Sequence, residues 1–173
     1  MEPQTTTARV GLKWGLIAGI VSMVYTAILY TTGLFLNPGV PWVGVVLSVV
    51  LIVLAMRNFR ELNGGFMTYG EGVSMGAFTG TISALLSGSF NYLYTTFIDP
   101  TIQQQIRDFS EEQLAAQGMT DEQIEQALEF ANTFQSPGVQ FLMGVGGAVL
   151  ASLIIALIAS AFLRRERPFS EFQ

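Results

Sequence analysis

Three observations predict an all-α, polytopic membrane protein with four transmembrane helices and an extracytoplasmic helical hairpin between the third and the fourth. Half of the 173 residues are hydrophobic and only 12% are charged, about half the charge of a soluble domain. The charges are segregated, with none in residues 14–56, 72–98 or 135–163. The one long hydrophilic stretch, 99–136, carries helix-start signals.

The first span is expected at 12–36. From Trp14 it runs 23 residues without a charge, about 34 Å as a helix against a hydrocarbon core of about 30 Å. It is too long for the apolar core of a signal peptide and reads as a retained helix. Asn37, Pro38, Gly39 and Pro41 then make a turn, because two prolines and a glycine cannot continue a helix.

The second span, 40–57, is short and rich in Val, Leu and Ile. A buried strand is its rival, but the chain offers no soluble core for one to join. Residues 57–71, with Arg57, Arg60, Glu61, Glu71 and the Gly64-Gly65 pair, read as a loop. The third span, 70–97, and the fourth, 138–163, are long and free of charge beyond Glu71, and a tail follows at 164–173.

The hydrophilic segment reads as a hairpin over 100–135. Ser110-Glu111-Glu112-Gln113 and Thr120-Asp121-Glu122-Gln123 both fit the capping box, in which a hydroxyl and the side chain three residues on satisfy orphan backbone donors. The first helix is expected from Pro100, broken or re-capped at Ser110. The second is expected from Asp121 to about Phe134, the two meeting near Gly118. Ile102, Ile106 and Phe109 form an apolar stripe on the first; Ile124, Leu128, Ala131 and Phe134 form one on the second, with Glu125 and Glu129 on another face.

Arg9, Lys13, Arg57, Arg60, Arg164, Arg165 and Arg167 lie in three segments that four spans place on one side. Arg107 shares the 99–136 segment with eight carboxylates. Positive charge marks the cytoplasmic face, so both termini are expected inside and 99–136 in the periplasm. Omitting the short second span would put the arginines on conflicting sides.

Small residues recur every fourth position in three spans: Gly11, Gly15 and Gly19; Gly72, Gly76, Gly80, Ala84 and Gly88; and Gly144, Ala148, Ser152, Ala156 and Ser160. In lipid, helices gain little hydrophobic energy by associating, so close approach along such ridges must hold them together. The ridges serve either intramolecular packing, the preferred reading, or a homodimer.

Chemistry is sparse. Cysteine and histidine are absent, removing thiolate nucleophiles and the commonest general base and metal ligand. No cofactor or enzyme activity is expected. The net charge of −5 opposes nucleic-acid binding. Glu71, beside Tyr69 at the mouth of the third helix, is a candidate proton or cation site with Arg57 and Arg60. The plainer alternative is a helix cap or an ion pair with either arginine. Ser83, Ser87, Asn91, Tyr92, Tyr94, Thr95 and Thr96, with Tyr25, Thr26, Tyr30, Thr31 and Thr32, are either a polar path or interfacial anchors. The acidic loop lacks an EF-hand pattern.

The chain resembles the DUF4199 family, bacterial membrane proteins of unknown function common in Bacteroidetes. The resemblance rests on Leu12-Lys13-Trp14-Gly15, on Arg60 with the run from Gly64 to Gly72, on the run from Tyr94 to Pro100, and on Ser136-Pro137-Gly138 after the hairpin. It implies a four-helix inner-membrane protein and brings no catalytic residues. The function expected is a non-enzymatic interaction or scaffold component whose hairpin meets an envelope protein. The alternative is a small oligomeric transporter or channel using the glycine faces and Glu71.

Overall fold

The computed structural model describes residues 6–166 apart from 133 and 135; Arg167 and the rest of the expected tail lie outside the described residues. Among the described residues six α-helices follow one another: α1 Thr7–Thr32, α2 Pro41–Leu62, α3 Tyr69–Leu93, α4 Thr101–Ala116, α5 Asp121–Asn132 and α6 Pro137–Leu163. Four segments, Thr7–Thr32, Pro41–Leu62, Tyr69–Ile98 and Pro137–Leu163, are long and apolar enough to cross a membrane. The molecule is thus an all-α multi-pass membrane protein.

The helices outrun the apolar segments that announced them. α1 starts at Thr7, capped by the Thr6 side chain, so Arg9 and Lys13 are helical. It stops at Thr32 rather than 36, because Gly33 takes a left-handed φ of 72° that a side chain would resist, and a single 3-10 turn follows over Leu34–Leu36. The expected loop at 57–71 is corrected most. α2 continues through Arg57, Arg60 and Glu61 to Leu62, since these side chains are good helix formers once the backbone has left the hydrocarbon. Only the segment around Gly64 and Gly65 (φ 71° and 88°) turns the chain. α3 passes directly into a five-residue π-helical turn, Tyr94–Ile98.

α3 is sandwiched between α1 and α6. On one face, a Cβ built on Gly72, Gly76 or Gly80 would collide with Ser160, Ala156 or Ser152 of antiparallel α6. The register is constant, each step of four down one helix matching a step of four up the other. On another face, side chains of α3 fill the places left by the α1 glycines: Phe78 lies against Gly11, Ile82 against Gly15 and Leu86 against Gly19. Small-residue ridges therefore serve packing within the chain, where dispersion over close backbones replaces a hydrophobic driving force.

The core sits toward the end that carries both termini. Val10, Ile52, Met56, Phe59, Met67, Met75 and Ala156 form it, with Trp14 and Leu163 packed at its edge. Trp14 Nε1 donates to Asn58 Oδ1 at 3.0 Å, tying α1 to α2. Met67 and Arg165 exchange backbone hydrogen bonds of 2.9 and 2.8 Å, and Arg60 Nη1 donates to the Leu163 carbonyl at 3.4 Å. The loop after α2 and the end of α6 are thereby clamped together, with Arg60 on a carbonyl at the negative end of α6.

At the other end stands the hairpin. Thr120 N donates to Gln123 Oε1 at 3.1 Å and Gln123 N to Thr120 Oγ1 at 3.4 Å, completing the expected capping box of α5. The break expected at Ser110 is absent. α4 runs through it, and Ser110 Oγ donates to the Ile106 carbonyl at 2.8 Å, the bond of a serine inside a helix. Gly118, with φ 81°, makes the turn between the helices. Gln103 and Gln140 exchange amide hydrogen bonds of 3.0 and 3.2 Å, fastening the base of α4 to α6.

Candidate functional site

The residues expected to carry chemistry near Glu71 are engaged in structure. Thr68 N and Thr68 Oγ1 donate to Glu71 Oε2 at 2.7 and 2.9 Å, and Glu71 N donates to Thr68 Oγ1 at 3.3 Å. This is a complete capping box at the positive end of α3. Arg60 reaches Leu163, whereas Arg57 and Tyr69 are exposed. The four residues share one end of the bundle, at the start of α3 and the end of α2.

A cavity does exist, in the half nearer the hairpin. It occupies about 410 Å³ between α1, α2, α3 and α6. α1 contributes Ser22, Tyr25 and Thr26; α2 contributes Gly44, Val45 and Ser48; α3 contributes Ser83, Ala84 and Ser87; α6 contributes Ala148, Ala151 and Ser152. Its floor is set by Ile52, Thr79 and Ile155, which abut the core. Every lining residue is uncharged. Small residues that bring helices together at the terminus end leave room here, because the line of contact on α6 changes beyond Ser152: Val145 and Phe141 meet α3 at Gly88 and Tyr92, while Ala148 and Gly144 are exposed and Gly144 has no neighbour within 4 Å of a built Cβ. The expected α6 ridge packs on α3 through Ser152, Ala156 and Ser160, and nearer the hairpin Val145 and Phe141 take over the contact.

Hydroxyl groups give the walls their polarity. Ser48 Oγ donates to the Gly44 carbonyl at 2.9 Å, Ser87 Oγ to Ser83 at 2.8 Å and Ser152 Oγ to Val149 at 2.8 Å. Tyr25 OH donates to the Val40 carbonyl at 2.6 Å, closing the corner between α1 and α2. Farther toward the hairpin, Tyr30 OH donates to Asn91 Oδ1 at 2.5 Å, and the Tyr30 ring sits 5.3 Å from Phe35 and 5.2 Å from Tyr94. Tyr25, Thr26, Ser83 and Ser87, grouped in the sequence as a polar path or anchors, thus face the cavity, and Tyr30 and Asn91 join α1 to α3. Ser22, Ser48 and Ser152 were not foreseen as cavity residues. Ser22 and Ser48 are the lone serines of two charge-free spans, and that was the signal that could have found them.

A second concavity lies on the hairpin, about 490 Å³ between α4 and α5. Glu111, Asp121, Glu125 and Glu129 line it with Arg107, above a floor of Ile124 and Leu128. Ile102, Ile124 and Leu128 are buried, while Ile106 and Phe134 of the expected stripes are exposed. Among the described residues, no three carboxylates converge closely enough to hold a metal ion.

A family profile described as a protein of unknown function, DUF4199, matches residues 13–165. No curated protein and no solved structure matches the chain. With that match running from Lys13 before the first span to Arg165 after the last, the chain belongs to the DUF4199 family of membrane proteins.

Proposed function

We propose that this protein is a non-enzymatic interaction component of the bacterial inner membrane that holds a basic segment of an envelope protein in the acidic cleft of its hairpin. The observation behind this reading is the cleft itself, with four carboxylates against one arginine around an apolar floor. Charges of one sign in a concave surface steer and retain a cationic partner, and the attraction weakens with salt. The basic flanks of the spans favour both termini in the cytoplasm and the hairpin in the periplasm. Cross-linking in native membranes tests this. Glu125→Lys with Glu129→Lys should abolish the main hairpin cross-link, and deletion of 101–135 should do the same. An unchanged set of neighbours in the deletion contradicts the reading. A cysteine introduced by Glu122→Cys should react with an impermeant thiol reagent from the periplasmic side only.

The cavity among the spans supports a second reading, a small transporter or channel. Against it, the space ends on the packed core around Met56 and Met75, and the ridges offered for oligomerisation on α1 and α3 are occupied within the chain. Under this reading Glu71→Gln abolishes proton- or cation-coupled flux in liposomes. Under the preferred one, no such flux exists to lose.

A further inference from the structure

We propose that the cavity among α1, α2, α3 and α6 is a binding site for an uncharged lipid group, a hydrocarbon chain bearing an ester, carbonyl or hydroxyl oxygen. A lined cleft of about 410 Å³ lies within the range of small-molecule sites. With no charged side chain on its walls, the site offers nothing to offset the desolvation of an ion, which costs several kcal/mol inside a protein. A charged occupant is thereby excluded. An apolar one is favoured by Leu29, Val45, Leu51, Ile52 and Ile155 around it.

The polar part of the occupant follows from the hydroxyls. Ser48, Ser87 and Ser152 spend their protons on carbonyls of their own helices. Ser22, Thr26 and Ser83 also line the space, and among the described residues they donate to no protein group. A helical serine or threonine ordinarily donates back to its own helix, and an unpaired hydroxyl in hydrocarbon is costly. These three are the donors left for a ligand oxygen. Packing sets their height: Ser22 lies between Gly19, which meets Leu86, and Tyr25, whose ring meets Gly44. Ser87 and Ser48 therefore stand near the level of Ser22, whereas Ser83, next to the Ile82 that meets Gly15, lies about 9 Å nearer the core, so the free hydroxyls are spread along the cavity wall.

Entry is lateral. Val45 on α2 and Ala148 and Ala151 on α6 line the cavity yet are exposed, so it opens between α2 and α6 on the face those spans turn to lipid. The occupant comes from the bilayer, either as a whole neutral lipid or as one chain of a phospholipid. This site is separate from the hairpin cleft, and either assignment can fail without the other.

The test is photo-cross-linking of the full chain in nanodiscs, with a diazirine-bearing monoacylglycerol in one arm and a phosphatidylglycerol carrying the diazirine on an acyl chain in the other. At least one probe should label the Ser83 segment of α3 about fivefold more than exposed Ile154 of α6. Labelling by the first probe alone identifies a neutral lipid, and labelling by the second identifies a bilayer chain. Ser83→Leu, which fills the space, should cut the α3 label about fivefold. Ser48→Leu, on the opposite wall, gives the same readout if the first variant fails to fold. Combined Ser22→Ala and Thr26→Ala keeps the volume and should lower the label about threefold. The proposal is overturned if α3 is labelled no more than Ile154, or if filling variants leave the label unchanged. It is also overturned if a charged, water-soluble thiol reagent modifies Ser83→Cys as fast as a surface cysteine, which would make the cavity aqueous.

Discussion

The two ends of the transmembrane bundle use the same small residues for opposite purposes. Toward the termini, Gly72 and Gly76 meet Ser160 and Ala156, and α1, α2, α3 and α6 close around Phe59, Met56 and Met75. Toward the hairpin, Ser83, Ala84, Ala148 and Ser152 face a space of about 410 Å³. Composition barely changes between the halves; what changes is whether a large side chain from a neighbouring helix reaches across. Met56 and Met75 fill the gap that small residues leave at one end. At the other, α2 offers Gly44 and Ser48, which cannot. A small-residue stripe thus specifies close approach only where the facing positions of the partner helix match it.

Substitutions should break this contrast in a definite order. Phe59→Ala, which empties the buried centre of the closed half, should cost about 3–5 kcal/mol of stability, read from thermal or denaturant unfolding in detergent. Gly76→Leu comes next, since its Cβ alone would sit 2.5 Å from that of Ala156; overpacking of this kind costs about 1–3 kcal/mol. Trp14→Phe keeps an aromatic ring but loses the pyrrole part of the indole with its donor to Asn58, for about 1–2 kcal/mol. Gly144→Ala, on the same expected ridge as Ala156 but open to its surroundings, should change stability by less than about 0.5 kcal/mol. If Gly144→Ala proves as damaging as Gly76→Leu, α6 is closed along its whole length and the contrast between the halves is lost.

Much of this fold was legible in the sequence because hydropathy and charge act over whole segments. Four spans, the hairpin, the Thr120 capping box and the intramolecular use of the α1 and α3 ridges all follow from local rules. The missed features depend on geometry that no local rule contains. Ser110 has the spacing of a cap, yet a serine with a helical turn before it donates to the Ile106 carbonyl instead. Arg57 and Arg60 look like loop residues only to a measure of hydropathy, since a helix need not stop where the apolar residues do. Glu71 was readable as a cap, from threonine three positions ahead and the α3 dipole. The cavity was hidden for a different reason: it arises where the contact line of α6 on α3 shifts from Ser152 to Val145, which no single helix encodes.

Thiol accessibility tests the asymmetry most directly, and the absence of cysteine from the chain makes the background silent. Ser83→Cys and Ala156→Cys place one thiol in the cavity and one in the closed half, the latter against Gly76 of α3. With a small uncharged methanethiosulfonate reagent on membrane-embedded protein, the account predicts at least tenfold faster modification at Ser83 than at Ala156. Equal rates at the two positions would contradict it.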